Sequence, residues 1–374
     1  MKLVTNVYGT TPTGGVEMHV LQASRELARR GHEVDLLYVE PGSFEPEYRK
    51  FCRSVTRVPA VDYWYPEGRR DRPRAMVQMA PAVWAAARRR PDVIYGNRVF
   101  SNGWAVPAGR LARAPVVCHL HGHTDLSPDR MAFLNRHVDR FIIISQFVAD
   151  EWLAAGLDPT RAVVVFNGID PAEYPFGGME ERTAARRILE LPDDGFVVTY
   201  FGRLDREKGV HVLLEAWRRL SLDPQGSRLL VVGSSMVDND EGAYQAQLEA
   251  LAGEDVRFLP ARRDVVVTLH AADVVVVPSI WDEPFGRTVI EGLSTGRPVV
   301  ASRVGGIPEI LEGPFERFLF ERGDVDGLVE QLRSLVRWRE EEPGLGALCE
   351  SRVHQGFTLA QMVDGIEGAF RAVA

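Results

Sequence analysis

The chain has 374 residues, 45% of them hydrophobic, which is too long for one ordinary core and fits two domains of about 150 to 200 residues each. A formal net charge of −8 and a pI near 5.7 argue against a general nucleic-acid binder, which carries a basic stripe and a high pI. Cys52, Cys118 and Cys349 lie far apart, with no CxxC or His/Cys spacing suited to zinc, and fit a reducing, cytoplasmic compartment.

The first apolar run, MKLVTNVY, stops at Gly9-Thr10-Thr11-Pro12 and reads as a strand, not a signal peptide. Gly14-Gly15 then opens an amphipathic helix expected over residues 15–30. Strand-like runs EVDLLYV, DVIYGN, PVVCHLHG, DRFIIIS and AVVVFNG follow, separated by helix-like segments at 74–90, 102–113 and 146–155. That alternation predicts parallel βα units in an open sheet covered on both faces. NGIDPAEYPFGG, residues 167–178, breaks the pattern with prolines and glycines and reads as an interdomain linker.

A second alternating series runs FVVTYFG, helix 209–220, RLLVVG, helix 244–252, VRFLP, helix 264–271, DVVVVPS, helix 287–295, PVVAS and a late helix near 326–340. Its continuous Val/Leu strands are those of a parallel sheet buried on both faces. Residues 358–373 form one more amphipathic helix. The expected division is 1–174, 175–357 and a C-terminal helix at 358–374 packing back toward the first domain. No apolar run approaches the roughly 18 residues of a membrane span.

Ligands of doubly wound sheets bind at the carboxyl ends of the strands, and the candidate chemistry clusters there. FVVTYFGRLDREKG ends a strand at Gly202 and presents Arg203 and Lys208 just before a helix, a loop suited to holding a diphosphate without a metal. Lys208 is one of only three lysines, with Lys2 and Lys50, among 44 basic side chains; keeping lysine there points to a need for a point charge. In PSIWDEPFGRTVIEGLSTGRPVVASRVGGIPE, Pro284 and Gly286 place Glu283 in a loop, while Glu291 rides on the helix that follows. The amides of residues 286 to 288 would face an anion, and Glu291 would lie about 7 Å further along at 1.5 Å per residue.

In the first domain Gly14-Gly15 suits close approach of a phosphate and fits a plain turn equally well, because the string lacks GxGxxG. HLHGH sets His119, His121 and His123 at alternate positions. Gly122 is expected to end the strand first, and only Asp125 offers a carboxylate, so one histidine reaching a ligand is favoured over a metal. Two Asp-x-Asp strings, Asp238-Asn239-Asp240 and Asp324-Val325-Asp326, read as a polar turn and as a helix cap formed by Asp326.

These pieces together resemble a retaining glycosyltransferase of family 4 with the GT-B fold. The resemblance runs nearly the full length, through GGVEMHVLQASRELARRGHEV, HLHGH, SQFVADEWLAAG, VVFNGID, FGRLDREKGV, AADVVVVPS, EPFGRTVIEGLSTGRPVVAS and GGIPEI. It implies an α/β protein of two doubly wound, Rossmann-like domains facing a central cleft, the first for the acceptor and the second for the nucleotide sugar. It implies transfer with retention of configuration from a UDP-sugar, with a GDP-sugar next, and no cofactor or metal. It assigns Gly202, Arg203 and Lys208 to the diphosphate, Glu283 and His121 to the donor sugar, and Glu291 to the ribose. Phe285, Gly286, Arg287 and Thr288 would give amides to sugar and phosphate, and Gly14 and Gly15 would form the phosphate loop. Leu259 and Arg262 would meet the base, although FLPARR departs from the usual Phe-Leu-Gly and leaves the nucleotide open.

The acceptor is a sugar, small molecule or lipid-linked group that the sequence does not specify. Tyr63, Trp64, Arg69, Arg70, Arg72 and Arg74 join aromatics to arginines and offer weak peripheral contact with an anionic membrane, against a solvated loop as the plainer reading. A nucleotide-sugar epimerase of the same fold and a non-catalytic nucleotide-sugar binder are the alternatives. A phosphorylase is disfavoured because no lysine is placed for a pyridoxal Schiff base.

Overall fold

A computed structural model of the chain describes residues 1–11, 14–62, 72–222, 226–235, 241–262 and 264–374, with the side chains of 72–75 and 241–242 left aside. The chain forms two compact units, Met1–Asn167 with Leu359–Ala374, and Gly168–Thr358. In the first, strands β1 (Lys2–Gly9), β2 (Glu33–Glu40), β3 (Ser54–Arg57), β4 (Val93–Gly96), β5 (Val116–Leu120), β6 (Arg140–Ile143) and β7 (Ala162–Val164) make a parallel sheet in the order β3-β2-β1-β4-β5-β6-β7. In the second, β8 (Val197–Phe201), β9 (Arg228–Val232), β10 (Val256–Leu259), β11 (Val274–Val277), β12 (Val299–Ser302) and β13 (Leu319–Phe320) are parallel in the order β10-β9-β8-β11-β12-β13.

Both orders reverse direction once, between β1 and β4 and between β8 and β11, and the crevice outside the strand carboxyl ends at such a reversal is where open α/β sheets take ligands. The valines of β11 are 0 to 5% exposed, each contributing roughly 1.5 to 3 kcal/mol by burial. This is why the uninterrupted VVVV run was legible as a central strand. β3 and β13 were not foreseen, since one is a half-buried four-residue strand reading SVTR and the other is two residues long.

The segment read as a linker is instead anchored in the second unit. Ile169 is fully buried and its amide donates to the Phe357 carbonyl. The Gly177 carbonyl accepts from Arg297 Nη1 at 2.7 Å, and a helix unforeseen from the sequence, Met179–Ile188, follows. The first unit therefore ends at Asn167 and not at residue 174. It regains the chain at the helix Leu359–Arg371, whose Leu359, Met362, Val363, Ile366 and Phe370 repeat at three- and four-residue intervals and pack on Leu3, Leu27, Val34, Tyr95 and Ile142.

One buried carboxylate organises the second unit beneath β8 and β11. Asp273 accepts from Arg182 Nε at 3.1 Å, Arg186 Nη2 at 2.7 Å, Arg339 Nε at 3.1 Å and the Val197 amide at 2.8 Å. Burial works against its charge, but the three guanidiniums hold its carboxyl below the usual carboxylate range. Burial first, and then the neighbouring guanidiniums, lower Arg186 and Arg339 as well. Of the two Asp-x-Asp strings, Asp238-Asn239-Asp240 lies outside the described residues. In the other, Asp324 rather than Asp326 caps the helix Val325–Ser334, accepting from the Gly327 amide, because the cap precedes the first helical residue. Asp326 pairs with Arg219 at 2.8 Å.

Candidate active site

In the second unit the loop after β8 begins at Gly202 (φ +153°), whose amide donates to the Val232 carbonyl. Arg203 is half exposed and its Nη2 lies 3.1 Å from Asp205 Oδ2. Asp205 also caps the short turn Arg206–Lys208 by accepting from the Lys208 amide. Gly209 follows at φ +68°, and a Cβ there would stand 1.9 Å from the Pro278 carbonyl oxygen. Only glycine permits this contact between the loops after β8 and β11. Gly209→Ala should therefore lower the melting temperature by an amount equivalent to about 1 to 3 kcal/mol and reduce activity with it, which thermal unfolding and a rate assay would check.

That contact brings the two loops' charges together. Lys208 Nζ lies 2.6 Å from Glu283 Oε1, with both side chains largely buried. Ser279 Oγ donates to the same oxygen at 2.6 Å, and Lys208 Nζ stands 5.5 Å from the Trp281 ring centroid. The Glu283 backbone is fixed from the other side, where the Gly306 amide donates to its carbonyl at 2.8 Å. A Cβ on Gly305 (φ +54°) would meet that carbonyl oxygen at 1.9 Å. The bonds from Lys208 and Ser279 both fall on Oε1, and Oε2 of Glu283 has no hydrogen bond among the described residues. Lys208 keeps two of its three N–H groups for an anion.

Next along the chain Phe285 is buried and packs on Phe357 at 6.0 Å between centroids, so it offers its backbone and not its ring. Gly286 (φ +106°) is the N-cap of the helix Arg287–Ser294, whose second residue is Thr288. The first amides of a helix lack intrahelical partners and suit an anion. Glu291, one turn on, accepts at Oε1 from Arg287 Nε at 2.7 Å and from the Tyr174 hydroxyl at 3.0 Å. Burial opposes the Arg287 charge, yet Glu291 and Tyr174 hold its guanidinium above its ordinary value. Glu291 thus repeats the pattern of Glu283, one oxygen clamped and the other available. Leu259 ends β10, where its carbonyl accepts from the Gly233 amide, and Arg262 is exposed beyond it.

In the first unit Gly14 is the extended N-cap of the helix Gly15–Arg29, and a Cβ on Gly15 would meet nothing within 4 Å. The protein's own packing does not require glycine at 15. Strand β5 ends at Leu120, before Gly122, and His123 parts from the other two histidines. His119 is fully buried on the strand, His121 follows it, and His123 turns away to Glu151 at 2.8 Å. His119 and His121 instead gather with His19 of the preceding helix, ring centroids 4.2 to 4.6 Å apart. Burial first, then the neighbouring imidazoles, holds His119 well below the usual histidine value. For His121 burial, His19 and Arg98 act in the same direction.

Of the residues singled out in the sequence, the structure brings Lys208 beside Glu283 and sets Glu291 on the helix that Gly286 caps; Ser279, Tyr174, Gly209, Gly305, His19 and Arg98, which surround these candidates, were not singled out. Arg98 lies 2.9 Å from Glu17 and 3.8 Å from Asp62, whose carboxyl burial raises. The available signals were Ser279 four residues before Glu283, and His19 within GGVEMHV. Tyr63, Trp64, Arg69 and Arg70 lie outside the described residues, and Arg72 and Arg74 fall in the first turn of a helix, Arg72–Ala87, whose side chains there are not described. No helix among the described residues is long and apolar enough to cross a membrane.

Residues 13–173 match the glycosyltransferase family 4 pattern and residues 181–344 the glycosyl transferases group 1 pattern. The D-inositol 3-phosphate glycosyltransferase of Geodermatophilus obscurus is 30% identical, over 98% of this chain and 86% of its own. That of Mycobacterium marinum is 29% identical, over 88% and 74%. Among solved structures, Anabaena Alr3699/HepE in complex with UDP and glucose superposes over both whole chains with a TM-score of 0.82 at 24% identity, a likeness of fold.

Proposed function

The chain belongs to the group 1 glycosyltransferases of GT-B fold, and on that premise we propose that it moves a sugar from a nucleoside-diphosphate sugar to an acceptor hydroxyl with retention of configuration and without a metal. The observation that carries this reading is the Lys208–Glu283 pair of 2.6 Å, set at the sheet's reversal point and followed directly by the glycine start of the helix Arg287–Ser294. UDP is the favoured nucleotide, supported by the UDP and glucose complex of the Anabaena protein, with GDP next. The acceptor is a sugar, a small molecule or a lipid-linked hydroxyl, and the compartment is the cytoplasm.

The mechanism follows from where charge develops. As the glycosidic bond breaks, the nucleoside diphosphate gains negative charge, and Lys208, Arg203 and the amides of Gly286, Arg287 and Thr288 stabilise it as an oxyanion site does. Glu283, steadied by Ser279, accepts from a donor sugar hydroxyl through its second oxygen and favours the positive charge growing at the ring. It acts by position and charge, with no covalent step. The leaving phosphate takes the acceptor proton on the face that it vacates. Glu291 receives the ribose hydroxyls, Leu259 and Arg262 border the base, and His121, Gly14 and Gly15 keep the donor roles that the family resemblance implies.

The test is product analysis with UDP-, GDP- and dTDP-sugars. Diphosphate release that depends on an acceptor, an unchanged anomeric configuration and full rate in EDTA is the expected result. Epimerised sugar, inverted product or a strict metal requirement would contradict it.

A further inference from the structure

His19, His119 and His121 form a second constellation, of which the transfer chemistry uses only His121. One ring nitrogen of each lies within 4.8 Å of the other two. Tyr95 fixes the orientation of His119, its hydroxyl 2.6 Å from Nδ1, so that Nε2 faces away from that contact. Nε2 of His119 and Nε2 of His121 are both buried with no hydrogen-bond partner among the described residues. A buried ring nitrogen left unpaired costs about 1 to 3 kcal/mol, and two occur here in one cluster. The rings stack or meet edge to face at 4.2 to 4.6 Å, and Nε2 of His19 lies 3.4 Å from the same Tyr95 hydroxyl.

Three imidazoles, two buried and one partly buried, with one held by a hydrogen bond to its other nitrogen, are the donor set and the outer support of a cation site. Taken alone, HLHGH disfavours a metal because Gly122 ends the strand and only Asp125 offers a carboxylate; the helix Gly15–Arg29 supplies a further imidazole, His19. Three nitrogens and no carboxylate select zinc-, nickel- or copper-like ions over magnesium, calcium or manganese. Tetrahedral Zn–N bonds of about 2.0 to 2.1 Å need nitrogens roughly 3.4 Å apart, so the three rings must turn toward one point to seat the ion.

We propose that His19, His119 and His121 bind one divalent cation of the zinc kind, separate from the transfer chemistry. Resting on the transfer reading, a corollary follows: an ion on His121 removes it from the donor sugar, so zinc should inhibit by raising the KM for donor while leaving kcat nearly unchanged.

The test begins with chelator-treated full-length protein titrated with cobalt(II) followed by visible absorption, and with zinc followed by calorimetry. One equivalent with tetrahedral ligand-field bands is expected, weakened at least tenfold in His121→Gln and His19→Gln, unchanged in Cys52→Ser, and without measurable magnesium binding. Circular dichroism checks that the variants fold; His121, the less buried of the two, keeps the test decisive if His19→Gln does not. Absent bands, equal binding in the folded histidine variants, or loss in Cys52→Ser would overturn the site. Because binding is read without turnover, a chain that bound zinc yet transferred no sugar would refute the transfer reading alone. Zinc bound at this site with an unchanged donor KM would overturn the corollary.

Discussion

Lys208→Ala should lower kcat about 10²- to 10³-fold in a folded protein, the loss typical when one preorganised donor to a developing oxyanion is removed. Lys208 is not a solvated surface cation. Its Nζ is 2.6 Å from Glu283 and largely shielded, and its loop is pinned by the Asp205 cap and by Gly209 against Pro278. Arg203, half exposed and facing Asp205, is more solvated, and Arg203→Ala should cost less. Glu283→Gln separates charge from hydrogen bonding, because the amide still accepts from Ser279. A kcat loss comparable to that of Lys208→Ala would assign Glu283 its charge-stabilising part. Near-normal turnover in both Lys208→Ala and Glu283→Gln would remove the pair from the chemistry.

The largest stability effect is expected far from that chemistry. Asp273→Ala leaves Arg182, Arg186 and Arg339 crowded around an absent anion, with Arg297, whose guanidinium burial has already pulled down to about 9, close by in the same charge cluster. Removing one partner from a buried ion network costs about 3 to 5 kcal/mol, so the melting transition of the second unit should fall by on the order of 10 °C. The pH dependence has a definite sign. Since the folded carboxyl lies below its unfolded value near 3.9, its contribution is fully present above that value. It is lost as pH falls through the folded value. Wild-type stability should therefore drop below about pH 4, and Asp273→Ala should lack that component. Differential scanning calorimetry of both proteins from pH 3 to about pH 7 checks each expectation.

What the sequence revealed and what it hid divide along a physical line. Runs such as VVVV and RLLVV declared their strands because both faces are buried, and Pro284-Phe285-Gly286 declared a helix start because few residues tolerate a left-handed N-cap. The placement of Glu283, Glu291 and Lys208 in loop and helix was legible because their positions relative to those boundaries are local. Tyr174 was hidden because its bond to Glu291 spans 117 residues and its segment reads as a flexible linker. His19 was hidden because an inward-facing histidine on an amphipathic helix looks like any other core position until β5 is placed beside it. Asp273 stands before a valine strand and gave no sign of the three arginines it holds, two of them from a helix that was not foreseen.

The central claim, that the crevice at β8 and β11 is a nucleotide-diphosphate site operated by Lys208 and Glu283, is tested most directly by calorimetric titration of UDP and GDP into the wild-type chain and Lys208→Ala. Saturable one-to-one binding of at least one of them without added metal, weakened tenfold or more in Lys208→Ala, is the predicted result. Absence of binding by either nucleotide, or equal affinity in the two proteins, would contradict it.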